Sequence, residues 1–391
     1  MVDFSLTDEQ REIRDWVRTF VRRELMPLEN DVLLRERRGE EPGLTEKERT
    51  ELQQLAKKSD FWGVQTPAEY GGMELDAISA AIVETELGRS FISFRFGGDA
   101  DNILYHANEE QKQRYLLPTI SGERKSCFAI TEPGAGSDAK AIRTTAVKDG
   151  DEWVINGEKT FITGGHEADF AMVFAVTDKE LGADGGVTCF LVDRDHGWTS
   201  EPIDTMGERR PASILLDDVR VPDDAVLGEV GKGFPLAMQW IGKGRFLLPA
   251  RALGGCERML DMAIEHSKTR ETFGAPIADR QAIQWMIADS QVEIEALRLL
   301  VLHAAWQVEQ GVDSRHAQSI AKVFGGVKAN EIVDRVMQIH GGMGYTRELP
   351  IERWYRDLRL LRIFEGTDEI QRRTIARDLL KGHVKVGATL N

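Results

Sequence analysis

The chain reads as an α+β protein, mainly α, built as helices, then strands, then helices. Three observations predict this order. Apolar residues recur at helical spacing through the first third of the chain. Short β-rich runs separated by turns take over near residue 127. After Gly231-Lys232-Gly233 helical periodicity returns and persists. The expected domains are a helical one over 1–126, a β one over 127–232 and a helical one over 233–391.

Each element has a local reason. Thr7-Asp8-Glu9-Gln10 reads as a capping box, with Thr7 as N-cap and Gln10 at the third helical position. Ile13, Trp16, Val17, Phe20, Val21 and Leu25 follow on one helical face, and Pro27 falls near that helix's end. Residues 31–45 are charged and broken by Pro and Gly, so a surface loop is expected. Residues 46–58, 76–90 and 108–121 read as further helices, with Pro67–Gly72 as a connection. Strands are expected at Cys127–Ile130, Thr144–Lys148, Glu152–Ile155, Lys159–Thr163, Ala171–Val176, Thr188–Val192 and Ile214–Val219. Asn156-Gly157 reads as a two-residue hairpin turn between two of them. The spacing suggests a small antiparallel barrel or sandwich. The closing helices are expected at 234–268, 279–310, 315–340 and 367–381.

Composition narrows the function. At 391 residues, with 41% hydrophobic and 29% charged, this is a soluble globular composition able to bury a large core. The 50 basic and 65 acidic residues leave a net charge of −15, which argues against nucleic acid or an anionic membrane as partner. No run approaches the roughly 20 apolar residues of a membrane span. No signal or transit segment precedes the first helix, so a cytoplasmic protein of bacterial type is expected. Cys127, Cys189 and Cys256 are scattered and odd in number, as expected of unpaired buried thiols. The histidines form no metal-binding pattern, so no metal is expected. There is no P-loop and no nucleophile elbow. Ser137-Asp138-Ala139-Lys140 lacks the companions of a Ser-x-x-Lys enzyme.

Five stretches carry chemistry. In Ile363-Phe364-Glu365-Gly366-Thr367-Asp368, the apolar pair would desolvate Glu365 and move its pKa toward the range of a general base. Gly366 lets the backbone turn close to a ligand. Thr367 or Asp368 caps the following helix. Taken alone, this run reads better as a helix cap behind a buried pair. Phe128-Ala129-Ile130-Thr131-Glu132-Pro133-Gly134-Ala135-Gly136-Ser137-Asp138 follows a strand and turns sharply, offering hydroxyls and approachable backbone. It is an ordinary Pro-Gly loop or a ligand cradle, but not a Rossmann fingerprint. Asn156–Gly164 reads as a hairpin. Arg270-Glu271-Thr272-Phe273-Gly274 ends a helix, its Arg pairing with a phosphate or with helix carbonyls. Gln338-Ile339-His340-Gly341-Gly342-Met343-Gly344-Tyr345 is a glycine-rich helix end.

In this order and spacing, the five stretches resemble the acyl-CoA dehydrogenases over essentially the whole chain, and the catalytic reading of Glu365 prevails. The resemblance implies a helical N-terminal domain, a middle antiparallel β domain and a C-terminal four-helix bundle. It implies FAD as cofactor and α,β-dehydrogenation of a fatty acyl-CoA to the trans-2-enoyl-CoA, as in β-oxidation. Glu365 would take the α-proton while hydride leaves for flavin N5. Phe128, Ile130, Thr131, Gly136 and Ser137 would wrap the flavin, Ser137 also touching CoA. Phe161, Ile162 and Thr163 would lie against the flavin ring, Phe161 standing where the family usually has Trp. Arg270, Thr272, Phe273, Gln281, Gln338, Gly341 and Gly342 would reach the FAD of a neighbouring subunit, and Thr367 and Glu369 complete the cofactor set. Arg245, Gly366 and Arg377 would meet the substrate, although a lone Arg on a helix is by default solvated. Gly244 stands where some members carry an alternative catalytic Glu. Ser90, Phe94 and Gly97 would lie on or near the helix that lines the acyl pocket, a bulky Phe94 shortening it in favour of short, medium or branched acyl groups. The implied partners are an electron-transfer flavoprotein and further copies of the chain in a tetramer. The alternatives are an acyl-CoA oxidase and a non-catalytic acyl-CoA-binding or assembly member of the same fold.

Overall fold

The structure is a computed structural model that describes residues 5–40, 42–208 and 210–387. The first helices are α1 (Asp8–Phe20), α2 (Glu29–Arg37), α3 (Glu46–Lys58), α4 (Ala77–Gly88), α5 (Glu109–Gln111) and α6 (Leu117–Ser121). Strands β1 (Ser126–Ala129), β2 (Thr145–Asp149), β3 (Glu152–Ile162), β4 (Phe170–Val176), β5 (Val187–Asp193), β6 (Thr199–Pro202) and β7 (Ala212–Pro222) follow. Then come α7 (Gly233–Lys243), α8 (Leu247–Thr269), a hairpin of β8 (Glu271–Thr272) and β9 (Ala275–Pro276), and α9 (Gln281–Glu309). The chain closes with α10 (Arg315–His340), α11 (Gly342–Tyr345), α12 (Ile351–Leu360) and α13 (Asp368–Leu380). Packing groups these into two compact units: Met1–Leu55, Leu75–Arg95 and Gly244–Asn391 in one, Ala56–Glu74 and Phe96–Lys243 in the other.

The helical unit is organised around α8 and α10. α10 packs against α8, α9, α12 and α13, and α4 packs against α1, α8 and α9. The crossing of α4 and α8 depends on two glycines. A Cβ on Gly88 would stand 1.9 Å from the Arg251 carbonyl oxygen, and one on Gly254 1.8 Å from that of Thr85. The capping box on α1 forms as the sequence predicts, with Thr7 and Gln10 exchanging two hydrogen bonds of 3.1 Å. The expected loop over 31–45 needs correction, because α2 runs to Arg37. Val32 and Leu33 are buried and Arg35 pairs with Glu48 at 2.8 Å, so tertiary burial overrides a charge-rich local composition. The expected helix over 234–268 is two helices, α7 and α8, separated at Gly244–Phe246. α12 was not foreseen.

The other unit holds a seven-stranded sheet in the order β1-β4-β2-β3-β7-β6, with β5 also paired to β4. It is mixed rather than wholly antiparallel, because β1 runs parallel to β4, Ser126 opposite Phe170. Phe170, Met172 and Phe174 face one apolar cluster and Ala171, Val173 and Ala175 another, so β4 is buried on both faces. The expected hairpin at Asn156-Gly157 is also corrected, since β3 runs straight through it. Asn156 instead exchanges hydrogen bonds of 2.8 and 2.9 Å with Asp218, which sits in a bulge of β7 at φ 48°. Gly157 is required because a Cβ there would meet the Thr144 hydroxyl at 2.4 Å. The true turn is Gly150-Asp151, between paired Asp149 and Glu152. Cys127, Cys189 and Cys256 are free and buried. Among the described residues no helix is long and apolar enough to cross a membrane, and no group of His, Cys, Asp or Glu is placed to hold a metal.

Candidate functional site

Glu365 lies in the short loop between α12 and α13, half-buried and in the left-handed region at φ 50°. Gly366 follows at φ 87°, and a Cβ there would stand 2.4 Å from the Gln371 amide nitrogen. The loop is fastened from two sides. Lys322, fully buried on α10, donates to the Phe364 carbonyl at 3.0 Å and to the Gly366 carbonyl. Gln371 on α13 donates to the Glu365 and Gly366 carbonyls at 3.3 and 3.2 Å and accepts from Ser319 of α10 at 2.9 Å. Thr367 caps α13 through the Ile370 N–H at 3.3 Å. Glu369 is exposed at that helix start, where its own backbone N–H and the Thr367 hydroxyl hold its carboxyl below the usual range.

Arg245 sits in the break between α7 and α8. Burial pulls its guanidinium down from the ordinary value, and the charge of Glu365 opposes the shift. Its Nε is buried with no hydrogen-bond partner among the described residues. Arg377 is exposed on α13, 3.7 Å from Asp378. Of the implied substrate residues, the helical unit thus brings Arg245, Glu365 and Gly366 together. Gly244 is free of crowding among the described residues, where a Cβ would meet Leu247 Cδ1 at 3.6 Å.

The sheet unit holds the other implied residues. Phe128 on β1 stacks on Trp240 of α7, ring centroids 4.0 Å apart and planes 8° from parallel. Ile130 is buried, Thr131 half-buried, and Gly136 and Ser137 are exposed. The loop is anchored where it begins. The Thr131 carbonyl accepts from Thr160 N–H at 2.9 Å, and buried Glu132 pairs with fully buried Lys159 at 2.8 Å. Burial favours neutral Glu132, but the charge of Lys159 and hydrogen bonds from Lys159 and Thr144 win and hold the carboxyl below its usual range. Burial draws Lys159 down to about 8 against the pull of Glu132. On β3 a register slip between Lys159 and Ile162 marks a bulge against β7. Phe161 in that bulge has φ 57° and is 63% exposed, between buried Thr160 and Ile162. Thr163 beyond it is exposed.

A third group of residues lies at one end of the helical unit. Phe273 and Gly274 form the β8–β9 turn, both at positive φ, and Phe273 is 99% exposed. Arg270, Gln281, Gln338, Gly341 and Gly342 are exposed, and Thr272 is half-buried. His340, buried just before Gly341, stacks on His266 with ring centroids 4.4 Å apart. The residues expected on or near the pocket-lining helix lie just beyond the end of α4. α4 ends at Gly88, Phe94 is fully buried against Phe20, and Ser90 donates to Glu29 at 2.7 Å. Gly97 is closed off by Trp62, whose ring a Cβ would meet at 2.1 Å. Phe94 and Ser90 are therefore core residues of their unit.

Sequence reasoning missed Lys322, Gln371 and the Glu132–Lys159 pair. The available signal was a charged residue on an inward face. Lys322 lies among Ser319, Gly325, Gly326 and Ala329 on α10, and Lys159 at a buried strand position. Such a residue demands a specific partner.

The residues present fit an FAD. Two aromatic rings, Phe161 and Phe273, are held out to solvent on strained backbone. At Gly134, Gly136, Gly341 and Gly342 a Cβ would meet nothing within 4 Å among the described residues, so the backbone is open to a ligand.

Comparison with known proteins gives three consecutive family matches. Residues 7–123 match the acyl-CoA dehydrogenase N-terminal domain, 127–219 the middle domain and 231–380 the C-terminal domain. The chain is 38% identical over 385 residues to a 3-(aryl)acrylate reductase of Clostridium sporogenes, covering 96% of this chain and 99% of that one. It is 37% identical over 390 residues to the caffeyl-CoA reductase-Etf complex subunit CarC of Acetobacterium woodii, covering 96% and 99%. The structure matches butyryl-CoA dehydrogenase from Megasphaera elsdenii with a TM-score of 0.85 at 33% identity, over 97% of this chain and 100% of that one.

Proposed function

The chain belongs to the acyl-CoA dehydrogenase family, and on that premise we propose that it converts a fatty acyl-CoA to its trans-2-enoyl-CoA with Glu365 as base. As a family member it is an oxidoreductase whose cofactor is FAD. The observation that carries the proposal is the fixing of Glu365. A carboxylate stands half-buried on left-handed backbone, with the carbonyls of Phe364, Glu365 and Gly366 held by Lys322 or Gln371 and with Arg245 as a charged neighbour.

Glu365 takes the α-proton of the thioester onto its carboxylate, and its backbone N–H polarises the thioester carbonyl. When bound, FAD supplies the acceptor for the hydride leaving the β-carbon. Phe128, Ile130, Thr131, Gly136 and Ser137, with Phe161, Ile162 and Thr163, would hold its flavin part; Phe161 packs by its face and lacks the indole donor of a Trp. Thr367 and Glu369 complete this set. Arg245, Gly366, Arg377 and Ser137 would contact the acyl-CoA. Arg270, Thr272, Phe273, Gln281, Gln338, Gly341 and Gly342 would reach a neighbour's FAD.

That last group needs a second copy. Trp285, Val292, Leu299 and Trp306 recur every seventh residue along α9, and all are exposed. An apolar stripe of this length supports a homo-oligomer, which we take to be a tetramer. The name of the Acetobacterium relative, a subunit of a reductase-Etf complex, supports an electron-transfer flavoprotein as redox partner.

The test is anaerobic mixing of the purified yellow protein with saturated acyl-CoAs of graded length and branching, followed by flavin absorbance. The expected result is bleaching by at least one, with turnover coupled to a dye or electron-transfer flavoprotein. Bleaching by none would leave a non-catalytic role. Fast reoxidation by oxygen would make the protein an oxidase.

A further inference from the structure

We propose that Lys322 is a positioning residue for the base, holding Glu365 in its reactive conformation through the two carbonyls that flank it. This rests on the reading of Glu365 as base. A non-glycine residue in the left-handed region is strained and persists only where its surroundings over-determine it. Here the surroundings are two buried side chains. The Lys322 ammonium grips the carbonyls on either side of Glu365, at Phe364 and Gly366. The Gln371 amide grips those of Glu365 and Gly366 and is itself held by Ser319. Rotation of the Glu365 backbone toward an unstrained φ would have to break the ammonium bonds. With Lys322 fully buried, its freed hydrogen-bonding capacity would have no water to turn to.

The charge adds a second effect. The groups acting on Lys322 are Asp368 and Glu369 at the start of α13, Glu365 in the loop, and Arg245 before α8. Burial lowers the ammonium to about 8, Asp368 and Glu365 oppose that, and Arg245 reinforces it. By reciprocity, a charged Lys322 favours ionised Glu365, the form that accepts a proton.

The experiment compares wild type, Lys322→Gln and the milder Ser319→Ala as FAD-loaded full-length proteins. The probe is the acyl-CoA that bleaches wild type fastest. The first-turnover rate of flavin bleaching at saturation should fall at least tenfold in Lys322→Gln and less in Ser319→Ala. Acyl-CoA Kd should change less than threefold. The acidic limb of the rate profile should move to higher pH in Lys322→Gln. Independently of activity, amide hydrogen exchange in a peptide spanning Ile363–Thr367 should accelerate in both variants, while peptides from α8 stay unchanged. A Lys322→Gln protein that melts at lower temperature yet bleaches at the wild-type rate with an unmoved profile would overturn the proposal, leaving Lys322 only structural. Wild type that no acyl-CoA bleaches would instead sink the assignment of Glu365. Ser319→Ala keeps the test decisive if Lys322→Gln does not fold: unchanged exchange and rate there would count against the loop clamp.

Discussion

Glu132 and Lys159 form an ion pair of 2.8 Å inside the sheet unit, joining the base of the glycine-rich loop to the strand that carries Phe161. Lys159 also donates to the carbonyls of Ile130 and Phe174 at 3.3 and 2.7 Å, and Glu132 accepts from the Arg143 and Thr144 N–H groups at 2.6 and 2.9 Å. Both ends are saturated, which is what allows two charges to be buried there.

Removing one partner should therefore be severe. Glu132→Leu leaves a buried cation and is expected to cost about 3–5 kcal/mol of stability by chemical denaturation. The carboxyl of Glu132 is held below its ordinary 4.5. Its contribution is thus complete above that value and is lost as pH falls through the folded value. The stability deficit of Lys159→Met should be full at neutral pH and narrow as pH falls below 4.5, where wild type loses the same contribution.

Glu365→Gln preserves size and polarity but has no proton-accepting carboxylate. Flavin content and acyl-CoA binding should stay near wild type. Flavin bleaching should slow by roughly 100- to 10,000-fold. Bleaching at the wild-type rate would remove Glu365 from the role of base.

Phe161 is held at φ 57° with its ring in solvent. Glycine relieves that strain, so Phe161→Gly should stabilise the flavin-free protein by up to ~1 kcal/mol. The same change removes the ring that packs on the flavin, so FAD should dissociate faster. Thermal melts without FAD and flavin retention on gel filtration are the two measurements. Loss of stability together with normal retention would contradict a ligand-facing role.

Arg270 and the α9 stripe separate cofactor capture from assembly. Leu299→Glu places a charge in the apolar stripe and should lower the oligomer mass seen by light scattering, with flavin content falling as subunits part. Arg270→Ala should lower flavin content and the oligomer together, because a ligand bound only by the assembly stabilises it. A monomeric wild type holding stoichiometric FAD would exclude a shared site.

His266 and His340 stack beside the Gly341 turn. Burial keeps both below the ordinary 6.5, and at His266 the charges of His340 and Arg270 add to it. The unfolded chain then binds more protons as pH drops below 6.5, so stability that is complete above 6.5 is lost below it. The melting temperature should fall between pH 6.5 and 5, and fall less in His340→Phe.

What the sequence by itself determined was local. The Thr7–Gln10 capping box, the Thr367 cap, the helix–strand–helix order and the five motifs each depend on residues within a few positions of one another, where periodicity and side-chain chemistry act directly. What only the tertiary structure decided was long-range. Asn156-Gly157 has the composition of a turn, yet β7 pairs along both sides of it and Asp218 takes up the Asn156 amide, so it is strand. Residues 31–37 have the composition of a loop, yet Val32 and Leu33 find a core and make helix. β1 pairs in parallel with β4, a partner that lies a whole loop and two strands away along the chain and so beyond the reach of any local pattern. The left-handed backbone at Phe161, Phe273 and Glu365 has no sequence signal, because strain is set by what surrounds a residue. The motif named Glu365. Lys322 lies 43 positions earlier in the chain (365 − 322), and only folding, by burying a charge that had to find partners, brought it onto the carbonyls of that loop.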